Sequence, residues 1–155
     1  MKFRNSSLLR LLLVLLILTA GCNDEESRRQ LDIVRQIAAD TPLYPGFVQL
    51  RSSDYHKTSH VGLIRCYSVR ANDGDIRRFY SEVFAVKGWT LAEEQKLGGF
   101  HPEGSYRLTF RKGAYAIVLG HDNLADPAGE CNYSLAYYWS PPEPLINLTR
   151  ENLKP

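Results

Sequence analysis

Alternation of apolar and polar residues in the second half of the chain constrains the fold more than any other feature of the sequence. One alternating run covers residues 105–111, and Lys112-Gly113 then offers a hairpin turn into a second run at 115–119. A third run, 131–139, alternates without a break. Because side chains two positions apart lie on the same face of a strand, each run presents one apolar face to a core. The sequence therefore predicts a series of antiparallel strands.

An amphipathic helix is predicted before these strands, because apolar residues recur at helical spacing between Ile76 and Phe84. Asn72 offers an N-cap, and Gly88 fits the position after the last turn. A second, N-terminal helix is predicted to end before Pro42. This order favours an α+β fold, in which an antiparallel sheet of about four to five strands packs against one amphipathic helix and is partly covered by the N-terminal helix.

The start of the chain has the features of an export signal. Three basic residues precede the uninterrupted apolar run 11–18, which is far shorter than the ~20 residues that a membrane-spanning helix needs. The run ends in Leu18-Thr19-Ala20-Gly21-Cys22, which resembles the lipobox of bacterial lipoproteins, although Thr19 stands where the family pattern usually has Leu. The resemblance implies removal of residues 1–21 and attachment of a diacylglycerol and an amide-linked acyl chain, such as palmitate, to Cys22. An ordinary signal peptide with an unmodified Cys22 is the alternative.

With the signal peptide at 1–21, the chain divides into a lipid-anchored tether at 22–27, a single α+β domain at 28–140 and an irregular C-terminal tail at 141–155. The resemblance implies a lipoprotein of the cell envelope that faces the periplasm. In Gram-negative lipoproteins, Asp directly after the lipidated cysteine retains the protein in the inner membrane. Asn23 occupies that position here, so the outer membrane is favoured.

Cys66 and Cys131 are the two remaining cysteines. An exported domain lies in an oxidising compartment, so these two are expected to form a disulfide bond. Closing a loop of that size stabilises a fold by about 4 kcal/mol in the chain-entropy model. Two separate buried thiols are the alternative. No other cysteine lies nearby at the spacing of a zinc site.

A second resemblance covers the middle of the domain. Phe79-Tyr80, then Lys87-Gly88-Trp89, then Lys112-Gly113-x-Tyr115 is similar to a pattern in many small, uncharacterised lipoproteins of Gram-negative bacteria. An aromatic pair in a helix, a glycine after that helix and a glycine in a hairpin are structural features. The resemblance therefore supports the fold and the envelope location, and it implies no activity.

The net charge disfavours nucleic acid as a partner. The whole chain has 19 Lys and Arg residues against 17 Asp and Glu residues. Removal of the signal takes away three basic residues and no acidic residue, which leaves 16 basic and 17 acidic residues. A nearly neutral domain lacks the strongly basic face that nucleic-acid binding needs.

Patterns typical of catalytic or metal sites are sparse. No Gly-x-Ser-x-Gly motif occurs, and the adjacent Glu93 and Glu94 would point to opposite faces of a strand. His56 and His60 have a spacing that suits two metal ligands, but nothing in the sequence brings further ligands to them. We therefore predict a protein that is not an enzyme and holds no metal or other cofactor.

Residues near the C-terminal strands form the candidate partner surface. In a strand, Tyr138 points away from both of its neighbours, so it lies on the outer face if they face the core. Arg107, Arg111 and Lys112 are expected to line the neighbouring hairpin. Ordinary packing of the tyrosine and a solvated charged edge are the alternative explanations.

These observations predict a membrane-tethered, non-catalytic binding module of the envelope that docks onto a protein partner. A binder of a small molecule or glycan in an aromatic groove is the second hypothesis, and an enzyme assembled from distant residues is the third. A flat aromatic patch would favour the first hypothesis. An apolar pocket lined by Tyr and Trp would favour the second.

Overall fold

The computed structural model describes residues 25–57, 60–99, 101, 103–121 and 131–140, so Cys22 and the tail 141–155 lie outside the described residues. The described part contains two helices and six strands: α1 (25–39), β1 (Val48–Lys57), β2 (His60–Ser68), α2 (Asp73–Val86), β3 (Thr90–Lys96), β4 (Tyr106–Lys112), β5 (Tyr115–His121) and β6 (Tyr133–Trp139). The predicted α+β class is confirmed, with six strands where about four to five were expected.

The six strands form one antiparallel sheet in the order β1-β2-β6-β5-β4-β3. One pair of neighbouring strands, β2 and β6, is not consecutive in the chain, and β6 therefore lies between β2 and β5. The pairings make β2 and β3 run in the same direction, and α2 connects them across the three strands that separate them. The sheet therefore consists of a β1–β2 hairpin and a β3–β4–β5 meander, and β6 links the two parts by pairing with β2 and with β5.

The core lies between the two helices and one face of the sheet. Cross-strand register places Leu63, Tyr137 and Ile117 in one row on that face. The helices and the sheet together bury one cluster of side chains: Leu31, Val34 and Ala38 from α1, Ile76, Tyr80 and Phe84 from α2, Val61, Leu63, Tyr67, Tyr106, Leu108, Phe110, Ile117, Leu119, Tyr133, Leu135 and Tyr137 from the strands, and Val69 and Trp89 from the segments that flank α2. Both helices therefore pack on the same face of the sheet.

The predicted ends of α2 are present in the structure. Asn72 is the N-cap, and its side-chain oxygen accepts a hydrogen bond from the backbone N–H of Gly74 at 2.8 Å. Gly88 follows the last turn with a φ of 77°, a conformation that residues with a Cβ adopt only rarely. At the C-terminal end of the buried stripe, the ring of Phe84 packs 4.8 Å from that of Phe110 on β4. Local capping and packing on the sheet thus define the same helix.

Hydrogen bonds hold α1 against β2 and β5. The Tyr115 hydroxyl donates to Oε1 of Gln30 at 2.5 Å, and the Arg65 guanidinium donates to the carbonyl of Ala38 at 2.9 Å. Ser27 is fully buried near the start of the helix. The helix includes residues 25–27, so the last three residues of the predicted tether belong to it.

The predicted disulfide between Cys66 and Cys131 is present, with the two Cα atoms 5.8 Å apart. It joins β2 to the segment that enters β6. The strands β2 and β6 are also hydrogen-bonded neighbours in the sheet. Of the paired strands, these two lie farthest apart in the sequence, and the disulfide reinforces their pairing.

Candidate functional site

The side of the sheet opposite the helices is formed by the other set of alternate residues, and we call it the open face. Its centre is an apolar row of three side chains, Ile64, Ala136 and Val118, which the register aligns across β2, β6 and β5. Both described helices contribute their buried residues to the other face. Ala136 is itself buried, whereas Ile64 and Val118 are half-buried. Because no described helix covers this face, these two side chains are the part of the row that can bury further area against a partner.

Two tyrosines lie on the open face beside the apolar row. Tyr138 on β6 is half-buried, and its ring centroid is 6.3 Å from that of Tyr55 on β1. Gly62 lies opposite Tyr138 on β2, and a Cβ atom added to it would come within 2.5 Å of the Tyr55 ring. The absence of a side chain at this position therefore makes room for that ring. Burial raises the pKa of both tyrosines, which keeps their hydroxyls neutral.

Arg107 and Arg111 alternate with the buried residues of β4 and lie on the open face. Arg107 lies on the same face as Tyr138, and its charge lowers the pKa of that tyrosine against the larger effect of burial. Lys112 lies on the opposite face, where its ammonium donates to the carbonyl of Lys87 at 2.9 Å. The structure thus brings three of the four predicted surface residues to one face and separates Lys112 from them.

The open face contains a hollow of about 270 Å³ beside the disulfide. Its lining includes Arg51 and Ser53 from β1, Ile64 and Cys66 from β2, and Ser134 from β6. The hollow therefore begins where the apolar row ends, and it offers a recess for a side chain of a partner.

The helix-covered side holds a larger cleft of about 520 Å³, where the C-terminal ends of α1 and α2 meet the β4–β5 hairpin. Ile37, Trp89 and Tyr115 form its apolar and aromatic walls, and Asp40, Thr41, Lys87, Lys112 and Gly113 complete the lining. This volume lies in the range of small-molecule sites. The cleft is the kind of pocket that favours the second hypothesis, and no local sequence pattern connects the three segments that build it.

His56 and His60 point to opposite faces of the sheet. His56 pairs with Val61, whose side chain is buried in the core, and its Nε2 lies 2.7 Å from the hydroxyl of Ser27 in α1. His60 instead packs edge-on against the ring of Tyr55 on the open face, with centroids 5.6 Å apart. The spacing that suited two metal ligands therefore does not bring these imidazoles together.

A histidine–carboxylate pair does occur at the N-terminal end of α2, and sequence reasoning did not predict it. Nδ1 of His121 lies 3.3 Å from a carboxylate oxygen of Asp73, and the imidazole stacks on Tyr133 with centroids 4.7 Å apart. Within the described ranges, no group of three or more His, Cys, Asp or Glu side chains is arranged to hold a metal ion. The register that places β5 under the start of α2 creates this pair, and no local pattern encodes that register.

No protein-family model matches this chain, and neither a curated protein nor a solved structure matches it. Across the part of the chain that the structure describes, no helix is both long enough and apolar enough to cross a membrane. The lipobox and the similarity to small lipoproteins therefore stay predictions from the sequence.

Proposed function

We propose that this protein is a non-catalytic binding module of the Gram-negative cell envelope, tethered by lipid on Cys22, and that its open face docks onto a protein partner. The observation that carries the proposal is the apolar row at the centre of a sheet face that no described helix covers. The lipobox supports the tether, and Asn23 supports location at the outer membrane.

Charge indicates the chemistry of the partner. Arg51 on β1 and Arg107 and Arg111 on β4 flank the apolar row, whereas Glu93 on β3 is the acidic residue of this face in the described strands. A protein surface with an apolar centre and an acidic rim complements this arrangement. Such complementarity steers association and selects the partner, while burial at the centre supplies affinity.

Site-specific crosslinking in intact cells tests the docking. A photo-crosslinking amino acid replaces Thr109, which is half-buried on the open face between the two arginines of β4. We expect one reproducible crosslinked protein. Arg111→Glu should reduce its yield about tenfold, because the reversed charge would repel an acidic rim.

Arg78→Glu is the matched control, because it makes the same change of charge on the exposed side of α2, away from the open face. This variant should leave the yield from position 109 unchanged. Equal yields from the native and Arg111→Glu proteins would contradict the proposal. A product confined to this chain would also contradict it, because residues of the chain itself would then cover the face.

The lipid tether has a separate test. Cells grown with labelled palmitate should incorporate the label into the native chain and not into Cys22→Ser, because a hydroxyl in place of the thiol cannot form the thioether. Mass spectrometry of the mature protein should find its first residue at Cys22. An unlabelled native chain that begins elsewhere would refute lipidation.

Binding of a small molecule is the second candidate function, and the cleft between the helix ends and the β4–β5 hairpin is the observation that favours it.

A further inference from the structure

We infer that the cleft lined by Ile37, Trp89 and Tyr115 is a second binding site, which takes a small amphipathic carboxylate such as a medium-chain fatty acid. The cleft lies on the helix-covered side of the sheet and shares no residue with the open face. The inference therefore deepens the second candidate function, on which it rests, and does not depend on the proposed docking.

The apolar part of the ligand is indicated by the walls of the cleft and by the surface next to it. Trp89 and Tyr115 present aromatic surface, and Ile37 adds an aliphatic side chain from α1. A shallow hollow of about 320 Å³, lined in part by Val83 and Val86, shares Lys87 with the cleft. Val86 is 89% exposed, which is unusual for an aliphatic residue at a helix end. The apolar surface thus continues past the cleft, as a flexible alkyl chain would require.

The charged end of the ligand is indicated by the two lysines on the α2 and hairpin side of the cleft. The ammonium of Lys112 is held by the carbonyl of Lys87 at 2.9 Å, and since an ammonium has three donors, this bond leaves two others for a ligand. Lys87 itself also lines the cleft, so its positive charge adds to that of Lys112. Asp40 lies on the α1 side, where its carboxylate accepts a hydrogen bond from Gln36 at 3.0 Å. Two lysines and one aspartate give the lining a net charge of +1, which suits a monoanion.

Three photoreactive probes with the same alkyl chain test this inference: octanoate, octanol and octylamine, each with a diazirine. The native lipoprotein is held in nanodiscs of zwitterionic lipid, and labelled peptides are mapped by mass spectrometry. Peptides that contain Ile37, Trp89 or Tyr115 should be labelled by octanoate at about tenfold lower concentration than by octanol or octylamine, since only the carboxylate gains charged hydrogen bonds.

The double variant Lys87→Gln, Lys112→Gln removes both charges, while the amide at 112 can still donate to the carbonyl at 87. It should abolish the preference for octanoate and leave labelling by octanol unchanged. Lys96→Gln is the matched control, because this lysine lies at the far end of the sheet, paired with Tyr106. That variant should keep the preference. Far-ultraviolet circular dichroism verifies that each variant is folded.

Equal labelling by the three probes in the native protein would overturn the anionic specificity and leave only an apolar cleft. Labelling by octanoate that is absent from the cleft peptides, or that the double variant does not alter, would overturn the site itself. Neither result bears on crosslinking from the open face, so failure of this inference is distinguishable from failure of the docking.

Discussion

Reduction of the Cys66–Cys131 disulfide is expected to lower the free energy of unfolding by about 4 kcal/mol. The two cysteines are 65 positions apart, and the loop that they close contains α2, β3, β4 and β5. In the chain-entropy model the stabilisation depends on the logarithm of that separation, because the crosslink removes extended conformations from the unfolded chain. The contribution is therefore large even though the disulfide is a local contact in the folded sheet.

A urea titration followed by tryptophan fluorescence measures this effect, since Trp89 and Trp139 both pack against the core. With a urea dependence of about 2 kcal/mol per molar, a loss of about 4 kcal/mol lowers the midpoint of unfolding by about 2 M. The urea dependence itself should rise on reduction, because the uncrosslinked denatured chain exposes more surface.

The variant Cys66→Ala, Cys131→Ala is the control, and alanine leaves no polar group at the buried position 131. It should unfold at the midpoint of the reduced native protein and be insensitive to reductant. A midpoint that moves by less than about 0.5 M on reduction would refute the entropic reasoning. It would mean that the unfolded chain is already restricted at this loop.

Three further changes test the core and the helix cap. Asn72→Ala should lower the free energy of unfolding by about 1 kcal/mol, because the N–H of Gly74 loses its acceptor, whereas Asn72→Asp should be nearly neutral in the same urea titration. Phe84→Ala should cost about 3–5 kcal/mol, because this ring is fully buried against three other aromatic rings. Burial raises the pKa of Tyr106 and Tyr137, so the folded state binds more protons than the unfolded state above about pH 10. Stability should therefore fall as the pH rises above about 10, and tyrosinate absorbance should appear together with unfolding; ionisation of all tyrosines in the folded protein would contradict this.

Short-range patterns explain what the sequence predicted well. The apolar stripe of α2 and its cap at Asn72 depend on residues only a few helical turns apart, and the alternation from Tyr133 to Trp139 depends on the residues of one strand. The disulfide followed from counting cysteines once export was inferred. Each of these features depends on local geometry or on chemical environment rather than on long-range register.

Long-range register explains what the sequence left open. The position of β6 between β2 and β5 depends on pairings between distant segments, and the cleft depends on three separate pieces of chain. The spacing of His56 and His60 suits two metal ligands only if both lie on one element, whereas they lie on two paired strands. The separation of Arg111 from Lys112 could have been predicted from the sequence, because adjacent residues of a strand point to opposite faces of the sheet.

The position of β6 determines when the sheet can be completed while the chain is being synthesised. Until residues 131–140 have left the ribosome, the β1–β2 hairpin and the β3–β4–β5 meander share no strand pairing in the sheet. Pairing between strands so distant in sequence is slow to form, because the loop between them must close first. The sheet therefore stays incomplete until the chain has been synthesised past residue 140. For the export that we propose, such a late-completing sheet would be an advantage, because a narrow export channel accepts only an incompletely folded chain.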